Sequence, residues 1–300
     1  MVEPKELFAE FERLTNVYEE SEGGKSLVEW FRQDWALFGN SKMDNAHAKE
    51  LLGEILDDGD IVRRRFRPSP EYVSHNLPQW DNLRDEIKHK NRWFFTESID
   101  MDRFGQLLDF LIISDLGESW YRARLNVKSS PFALDEMGAP PHELASHGRA
   151  NPVGIPYLYL GSDPETAISE TRPHTGDTAS VAKFSVPNIK VVDLRNPREQ
   201  VSPFLLSDSS DIGQLRVDIP LLEKLGEELS RPVLPTAAAF EYIPSQYLCE
   251  FMKKLGFDGV VYRSSVGRGI NLAMFQPQLV TSVSVSLYKV DRVSAVISES

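Results

Sequence analysis

The stretch at residues 148–173, GRANPVGIPYLYLGSDPETAISETRP, constrains the fold of this chain more than any other. Prolines and glycines keep its entry extended, and residues 157–160 have the aromatic and apolar character of a short buried strand. Asp163 and Pro164 are a helix N-cap and a proline at the first helical position, so a helix is expected to begin there. The pattern therefore predicts one turn–strand–turn–helix unit.

Three polar side chains are spread evenly over this unit. Arg149 precedes the strand, Tyr159 lies on it, and Glu170 lies on the following helix. Tyr159 follows Arg149 by ten positions, and Glu170 follows Tyr159 by eleven. In a compact unit these side chains can converge on one cleft. Each residue by itself is ordinary for a loop, a strand or an exposed helix face, and spacing alone favours that structural interpretation.

Together with two flanking segments, this unit resembles the RES-domain family, the toxin halves of many bacterial toxin–antitoxin pairs. Upstream, residues 120–122 (WYR) look like the opening strand of the family. Downstream, residues 256–275 (GFDGVVYRSSVGRGINLAMF) look like its closing segment, with the family serine at Ser264 or Ser265. The resemblance covers residues 119–275. It implies an ADP-ribosyltransferase-like fold and an enzyme that consumes NAD.

The resemblance also implies a role for each candidate residue. Glu170 would stabilise the positive charge that develops on the ribose when the nicotinamide–ribose bond breaks. Tyr159 would stack on the nicotinamide, and Arg149 would bind the diphosphate through charge-assisted hydrogen bonds. The expected catalytic residues are Glu170, Arg149, Tyr159 and Ser264. The expected substrate-binding residues are Arg122, Arg124, Ser265 and Asn271.

Several of these candidate residues have an alternative interpretation. Arg122 and Arg124 share one face of the predicted strand, whereas the family motif has a single arginine that aligns better with Arg122. Two arginines on one strand face are costly unless that face meets a ligand, acids or water. Ser264 fits the family serine better than Ser265. For Asn271, a structural hydrogen bond is an equal alternative to contact with a ligand.

The rest of the chain divides into two parts that differ in the spacing of their apolar residues. Apolar residues at helical spacing predict an all-helical N-terminal domain at residues 1–115. Strand candidates then outnumber helices, which predicts a catalytic domain of the α+β class at residues 116–300, with two packed sheets and a few helices. The expected architecture is the ADP-ribosyltransferase-like RES fold, preceded by the helical domain.

Composition and charge disfavour several classes of protein. The net charge of −12 disfavours non-specific binding to nucleic acids or anionic membranes. The single cysteine, Cys249, excludes an internal disulfide and a cysteine metal site, which fits a reducing cytoplasm. The N-terminus shows no signal peptide, and no apolar run approaches the roughly 20 residues of a membrane span. We therefore expect a soluble, cytoplasmic protein that contacts neither nucleic acid nor membrane directly.

One tract resembles a metal-binding motif without matching it. Residues 142–147, HELASH, have one residue more than the HExxH zinc motif, so the two histidines would fall on different helix faces. The chain also lacks the GxSxG, Walker A and Rossmann glycine motifs. We expect no metal and no cofactor, with NAD entering as the substrate.

The sequence thus predicts a toxin-like enzyme that cleaves the nicotinamide–ribose bond of NAD. Inorganic phosphate as the acceptor would make it an NAD phosphorylase, and water would make it a glycohydrolase. The alternatives are a protein ADP-ribosyltransferase and a non-catalytic interaction protein that kept the fold. The intact set of Arg149, Tyr159 and Glu170 argues against the last of these. The resemblance implies a helix-turn-helix antitoxin that covers the cleft, while the oligomeric state, including a homo-oligomer, stays open.

Overall fold

The computed structural model describes residues 3–96, 99–113, 115–117, 119–126 and 130–294. The chain forms two compact units: one comprises residues up to Asp81 with Asn196–Glu223, and the other comprises Asn82–Arg195 with the residues from Lys224 onward. The predicted boundary between residues 115 and 116 concerns independent folding, and it stays a prediction.

Helices occur in both parts of the sequence. Their bounds are α1 (Phe8–Thr15), α2 (Leu27–Trp35), α3 (Asn45–Ile55), α4 (Asn76–His89), α5 (Met101–Asp109), α6 (Pro164–Glu170), α7 (Pro197–Gln200), α8 (Ser209–Ser230), α9 (Ala238–Glu241) and α10 (Ile243–Lys254). The N-terminal part is largely helical, as the apolar periodicity predicts. Asp44 caps α3 by accepting a hydrogen bond from the amide of His47.

A two-stranded antiparallel sheet lies in the first unit, where the periodicity predicts only helices. It pairs β1 (Tyr18–Lys25) with β2 (Phe66–Pro68). The glycine pair at residues 23–24 lies within β1. A Cβ atom on Gly24 would lie 2.0 Å from the carbonyl oxygen of Phe66, so the close approach of the two strands requires glycine.

The second unit is built on an eight-stranded sheet of described residues. Its strands are β3 (Ile112–Ile113), β4 (Trp120–Leu125), β5 (Leu158–Gly161), β6 (Thr178–Ser185), β7 (Val191–Asp193), β8 (Gly259–Arg263), β9 (Ile270–Met274) and β10 (Thr281–Lys289). They are hydrogen-bonded in the order β10-β6-β4-β5-β9-β8-β7-β3, and every pair is antiparallel except β7 with β8. The α+β class is confirmed. The strands expected in two packed sheets are joined by hydrogen bonds as one sheet.

The central strands of this sheet place several predicted site residues side by side. β8 and β9 are apolar and almost wholly buried, and their side chains pack in a core that includes Trp120, Leu158 and Leu272. The order β4-β5-β9-β8 makes neighbours of the strands that carry Arg122, Tyr159 and Asn271. The topology therefore gathers into one region residues that are distant in sequence.

The described residues form neither a membrane-spanning helix nor a cluster of metal-ligating side chains. None of their helices combines the length and the apolar character that crossing a membrane requires. The same residues contain no group of three or more His, Cys, Asp or Glu side chains placed to hold a metal ion. In the HELASH tract, His142–Leu144 form a short 3-10 turn rather than an α-helix.

Candidate active site

The second unit contains a cleft of about 510 Å³ beside the central strands. Six of the eight predicted site residues line it: Arg122, Arg149, Tyr159, Glu170, Ser265 and Asn271. The other two, Ser264 and Arg124, are not among the lining residues. Of the described residues that line the cleft, three are arginines and a single one, Glu170, is an acid. The cleft therefore offers an anion-binding wall and one carboxylate.

Helix α6 carries Glu170 at its last residue, and the predicted turn–strand–turn–helix unit is confirmed. Asp163 caps the helix by accepting hydrogen bonds from the amide of Thr166 at 2.8 Å and from its hydroxyl at 2.6 Å. Gly161 ends β5 directly below the helix, where a Cβ atom would lie 2.8 Å from the amide nitrogen of Ala167. The absence of a side chain at this glycine lets the helix pack close to the strand.

The carboxylate of Glu170 is fixed through one of its two oxygens. Oε1 accepts hydrogen bonds from the hydroxyl of Ser264 at 2.7 Å and from the amide Nδ2 of Asn271 at 2.6 Å. The Ser264 oxygen in turn accepts from the amides of Val266 at 3.2 Å and Gly267 at 2.9 Å, so its single proton is directed at Glu170. Oε2 receives no hydrogen bond from any residue that the structure describes. It is the oxygen that remains open to a ligand.

The two serines of the closing segment therefore have different positions. Ser264 touches the cleft through Glu170, whereas Ser265 lines the cleft itself. The Ser265 oxygen accepts a hydrogen bond from Nη2 of Arg149 at 3.3 Å. One serine orients the carboxylate and the other contacts an arginine. The preference for Ser264 as the family serine stays a prediction.

Arg149 is held in one orientation by several contacts. Its Nη1 donates to the carbonyl oxygen of Arg231 at 2.9 Å, and its Nη2 donates to Ser265. The guanidinium also lies over the ring of Tyr242, at 4.9 Å from the ring centre. The backbone carbonyl of Arg149 accepts from the hydroxyl of Ser245 at 2.6 Å, which fixes the main chain as well. The side chain is thus preorganised for an anion.

The hydroxyl of Tyr159 is engaged inside the protein. It donates to Oδ1 of Asn151 at 2.7 Å and accepts from the amide of Ala150 at 2.9 Å. A Cβ atom on Gly148 would lie 2.4 Å from this hydroxyl, so the turn before β5 closes tightly on the tyrosine. Burial raises the pKa of Tyr159, which keeps the phenol neutral. The hydroxyl holds the turn that carries Arg149, and the ring is the part that meets the cleft.

The two arginines of β4 have different surroundings. Arg122 lines the cleft and donates to the carbonyl of Gly138, and burial together with the nearby Arg124 charge lowers its pKa to about 10. Arg124 instead lies over the ring of Phe132, at 3.9 Å from the ring centre, and donates to the carbonyl of Glu136 at 2.7 Å. No acid among the described residues forms a salt bridge with Arg122. A bound anion would offset the cost of burying its charge.

A comparison with known protein families identifies the fold that carries this cleft. The family model described as RES domain matches residues 119–293, which is more than half of the chain. The chain belongs to the RES-domain family. The match begins at the residue where the sequence resemblance begins, and it extends through β10. RES-domain toxins are generally enzymes that act on NAD, so membership supports a toxin-type, NAD-related function for this RES-domain protein.

Two further comparisons add little to the family assignment. No curated protein matches this RES-domain protein at a significant level. Among solved structures, a chain of the crystal structure of the M. tuberculosis MbcT–MbcA toxin–antitoxin complex is similar with a TM-score of 0.36 and 13% sequence identity. The similarity covers 62% of this chain and 91% of that chain. A likeness at this level does not support a functional assignment.

The RES-domain cleft also contains polar residues that the sequence analysis did not select. They are Tyr121, Thr171, Arg172, Tyr242 and Tyr262. Tyr262 is buried on β8, and burial raises its pKa well above the ordinary value. Arg172 lies two positions beyond Glu170, within the stretch at residues 148–173, but the motif of Arg149, Tyr159 and Glu170 does not include it. Tyr242 belongs to a segment without a sequence motif, and no pattern in the sequence points to it.

Proposed function

We propose that this RES-domain protein is a toxin-like enzyme that consumes NAD by breaking the nicotinamide–ribose bond. One observation carries the proposal. The Glu170 carboxylate is fixed through Oε1 by Ser264 and Asn271, is open at Oε2, and lines a cleft that also contains three arginines. A carboxylate held in this way can stabilise positive charge that develops on a sugar.

The chemistry of NAD explains why a single acid is sufficient. The nicotinamide of NAD is a cation, and it takes the electron pair of the broken bond and leaves as a neutral molecule. The leaving group therefore needs no proton, and the enzyme needs no general acid at that position. What the reaction requires is stabilisation of the ribosyl cation-like state. In this proposal Oε2 of Glu170 supplies it.

The remaining cleft residues fit the other parts of NAD. In the proposal, Arg149 and Arg122 bind the diphosphate, because guanidinium groups bind phosphate oxygens through paired, charge-assisted hydrogen bonds. The ring of Tyr159 packs against the nicotinamide or the sugar. The cleft volume of about 510 Å³ lies within the usual range of small-molecule sites, about 300–1,000 Å³. NAD is the substrate, and the proposal includes no separate cofactor.

The acceptor completes the reaction. Inorganic phosphate would form a new bond to the ribose carbon and give an ADP-ribosyl phosphate, whereas water would give ADP-ribose and release a proton. The proposal includes both acceptors. It also includes a neutralising antitoxin of the helix-turn-helix class that covers the cleft, as the resemblance to the toxins of the RES-domain family implies.

Product analysis tests this proposal directly. The purified chain is incubated with NAD, with and without inorganic phosphate, and the products are separated and identified by mass. We expect free nicotinamide in both reactions, with ADP-ribosyl phosphate when phosphate is the acceptor and ADP-ribose when water is. Transfer of labelled ADP-ribose to protein would favour a protein ADP-ribosyltransferase instead. If no nicotinamide is released, the protein is not an NAD-cleaving enzyme.

A further inference from the structure

The backbone of Arg172 has a conformation that arginine rarely adopts. Its φ is 53°, and it is the only non-glycine residue with a positive φ among the described residues of the second unit. It follows Thr171, the C-cap of α6, and its amide donates to the carbonyl of Ser169 at 3.0 Å. Glycine is the usual residue at this position, because it adopts the left-handed conformation without strain. An arginine at this position therefore has a strained backbone.

That side chain lines the cleft together with Arg122 and Arg149. Its Nη2 donates to the carbonyl oxygen of Val233 at 3.2 Å, a residue outside α6. No salt bridge joins Arg172 to an acid in the part of the chain that the structure describes. The observed partner of the guanidinium is therefore a neutral carbonyl, and the side chain is exposed at the cleft. Backbone strain at a cleft residue is a recognised sign of a functional constraint.

The three cleft arginines differ in how many donors are already used. Arg149 donates through both terminal nitrogens and packs on a tyrosine ring. Arg122 is largely buried and donates to the carbonyl of Gly138. Arg172 is exposed and has one observed hydrogen bond. Binding a phosphate group bidentately requires two free, parallel N–H donors on one guanidinium. Arg122 and Arg172 each use one donor in the observed hydrogen bonds, but Arg172 is exposed whereas Arg122 is largely buried. Arg172 therefore meets this requirement best.

We infer that Arg172 binds a phosphate oxyanion in this cleft and is a substrate-binding residue in addition to those expected from the sequence. The inference rests on the proposed function for the identity of the ligand. Two sources supply the same chemistry: the diphosphate of NAD and inorganic phosphate that serves as the acceptor. Both contain a phosphate group with two oxygens that can accept the parallel N–H donors of one guanidinium. The carbonyl of Val233 holds the side chain until the anion replaces it.

Binding measurements in a variant with strongly reduced NAD consumption test this inference. Glu170→Gln serves as the parent, and Arg172→Gln and Arg172→Gly are added to it separately. Calorimetric titrations with NAD, ADP-ribose and inorganic phosphate distinguish the two sources. We expect the affinity for NAD and ADP-ribose to fall roughly tenfold to a hundredfold if the diphosphate is bound, and the affinity for phosphate to fall by a similar factor if the acceptor is bound.

The glycine variant separates the side chain from the backbone. Glycine suits the left-handed conformation, so the melting temperature of Arg172→Gly should equal or exceed that of the parent. Lower affinity at unchanged stability supports the inference. Arg92→Gln, the same change at an exposed arginine that does not line the cleft, is the matched control and should leave all three affinities unchanged.

Three results would overturn the inference. They are affinities within twofold of the parent in both Arg172 variants, no measurable binding of any of the three ligands by the parent, and a fall in affinity as large in Arg92→Gln as in Arg172→Gln. Failure of the proposed function is a separate result, because it is seen as the absence of nicotinamide release by the unmodified chain. Affinity for ADP-ribose or phosphate is measured without turnover and does not depend on that outcome.

Discussion

Glu170 and Arg149 are both held in fixed orientations, but by different kinds of partner. The carboxylate receives hydrogen bonds from two side chains, Ser264 and Asn271. The guanidinium donates to a backbone carbonyl, that of Arg231, and to one serine hydroxyl. In this cleft both observed donors to the carboxylate are side chains, whereas one of the two acceptors of the guanidinium is a backbone carbonyl. The orientation of Glu170 therefore depends on the identity of its neighbours, and that of Arg149 depends also on the path of the backbone.

The largest expected effect is on the carboxylate region. Glu170→Gln keeps the size and hydrogen-bonding capacity of the side chain but removes the charge. The rate of NAD consumption should therefore fall about a hundredfold to a thousandfold, because the activation free energy rises by about 3–4 kcal/mol. Steady-state rates of nicotinamide release measure this effect, and NAD titration checks that binding is nearly intact. In cells that lack an antitoxin, the unmodified chain should stop growth and Glu170→Gln should not. Turnover by Glu170→Gln near the unmodified rate would contradict the mechanism.

Arg149→Ala tests the arginine region, and its effect should appear in binding first. The diphosphate is charged in both the ground state and the transition state, so KM for NAD should rise roughly tenfold to a hundredfold while kcat changes less. Initial rates over a range of NAD concentrations separate the two constants. A large loss of kcat at unchanged KM would instead place Arg149 at the reacting bond.

Tyr159→Phe tests the interpretation that the hydroxyl is structural and the ring is functional. The change leaves Oδ1 of Asn151 and the amide of Ala150 without their partner, so the free energy of unfolding should fall by about 1–3 kcal/mol. Urea unfolding followed by circular dichroism measures it. Because the ring is kept, kcat should change less than in Tyr159→Ala. Unchanged stability together with lost turnover would mean that the hydroxyl acts on the substrate.

The smallest expected effect distinguishes the two serines. Ser264→Ala removes one of the two donors to Oε1 of Glu170 and leaves Asn271 in place. The activation free energy should therefore rise by about 1 kcal/mol, which lowers the rate roughly fivefold. Ser265→Ala removes only the 3.3 Å contact with Arg149 and should raise KM slightly. Parallel kinetic measurements compare them. The opposite ranking would make Ser265 the functional serine.

The sequence was most informative where local chemistry and spacing agree. The cap at Asp163, the strand before it and the helix that ends at Glu170 follow from residues within one short stretch, and the structure confirms them. The contacts of Arg149 with Arg231 and Tyr242 depend on a distant segment and leave no local pattern. The pairing of β1 with β2 was missed for the same reason. The spacing of apolar residues is a property of one segment, whereas strand pairing depends on two segments that are distant in sequence.

The predicted boundary between residues 115 and 116 shows another limit of periodicity. Ile112 and Ile113 lie before it and pair with β7, so a fragment of residues 115–300 lacks the edge strand β3. Expression of that fragment tests the boundary. Cooperative unfolding of the fragment would support it. An unfolded fragment would mean that earlier residues complete the sheet.

The strand order of the sheet also bears on how the protein is synthesised. β4 and β5 leave the ribosome well before β9, yet β9 supplies Asn271 and pairs along the whole of β5. A chain interrupted before residue 270 has neither the Asn271 donor nor the strand that completes the floor of the cleft. Domains fold as units during synthesis. A translation product that stops before β9 should therefore lack the proposed activity, which should emerge only after β9 has been synthesised.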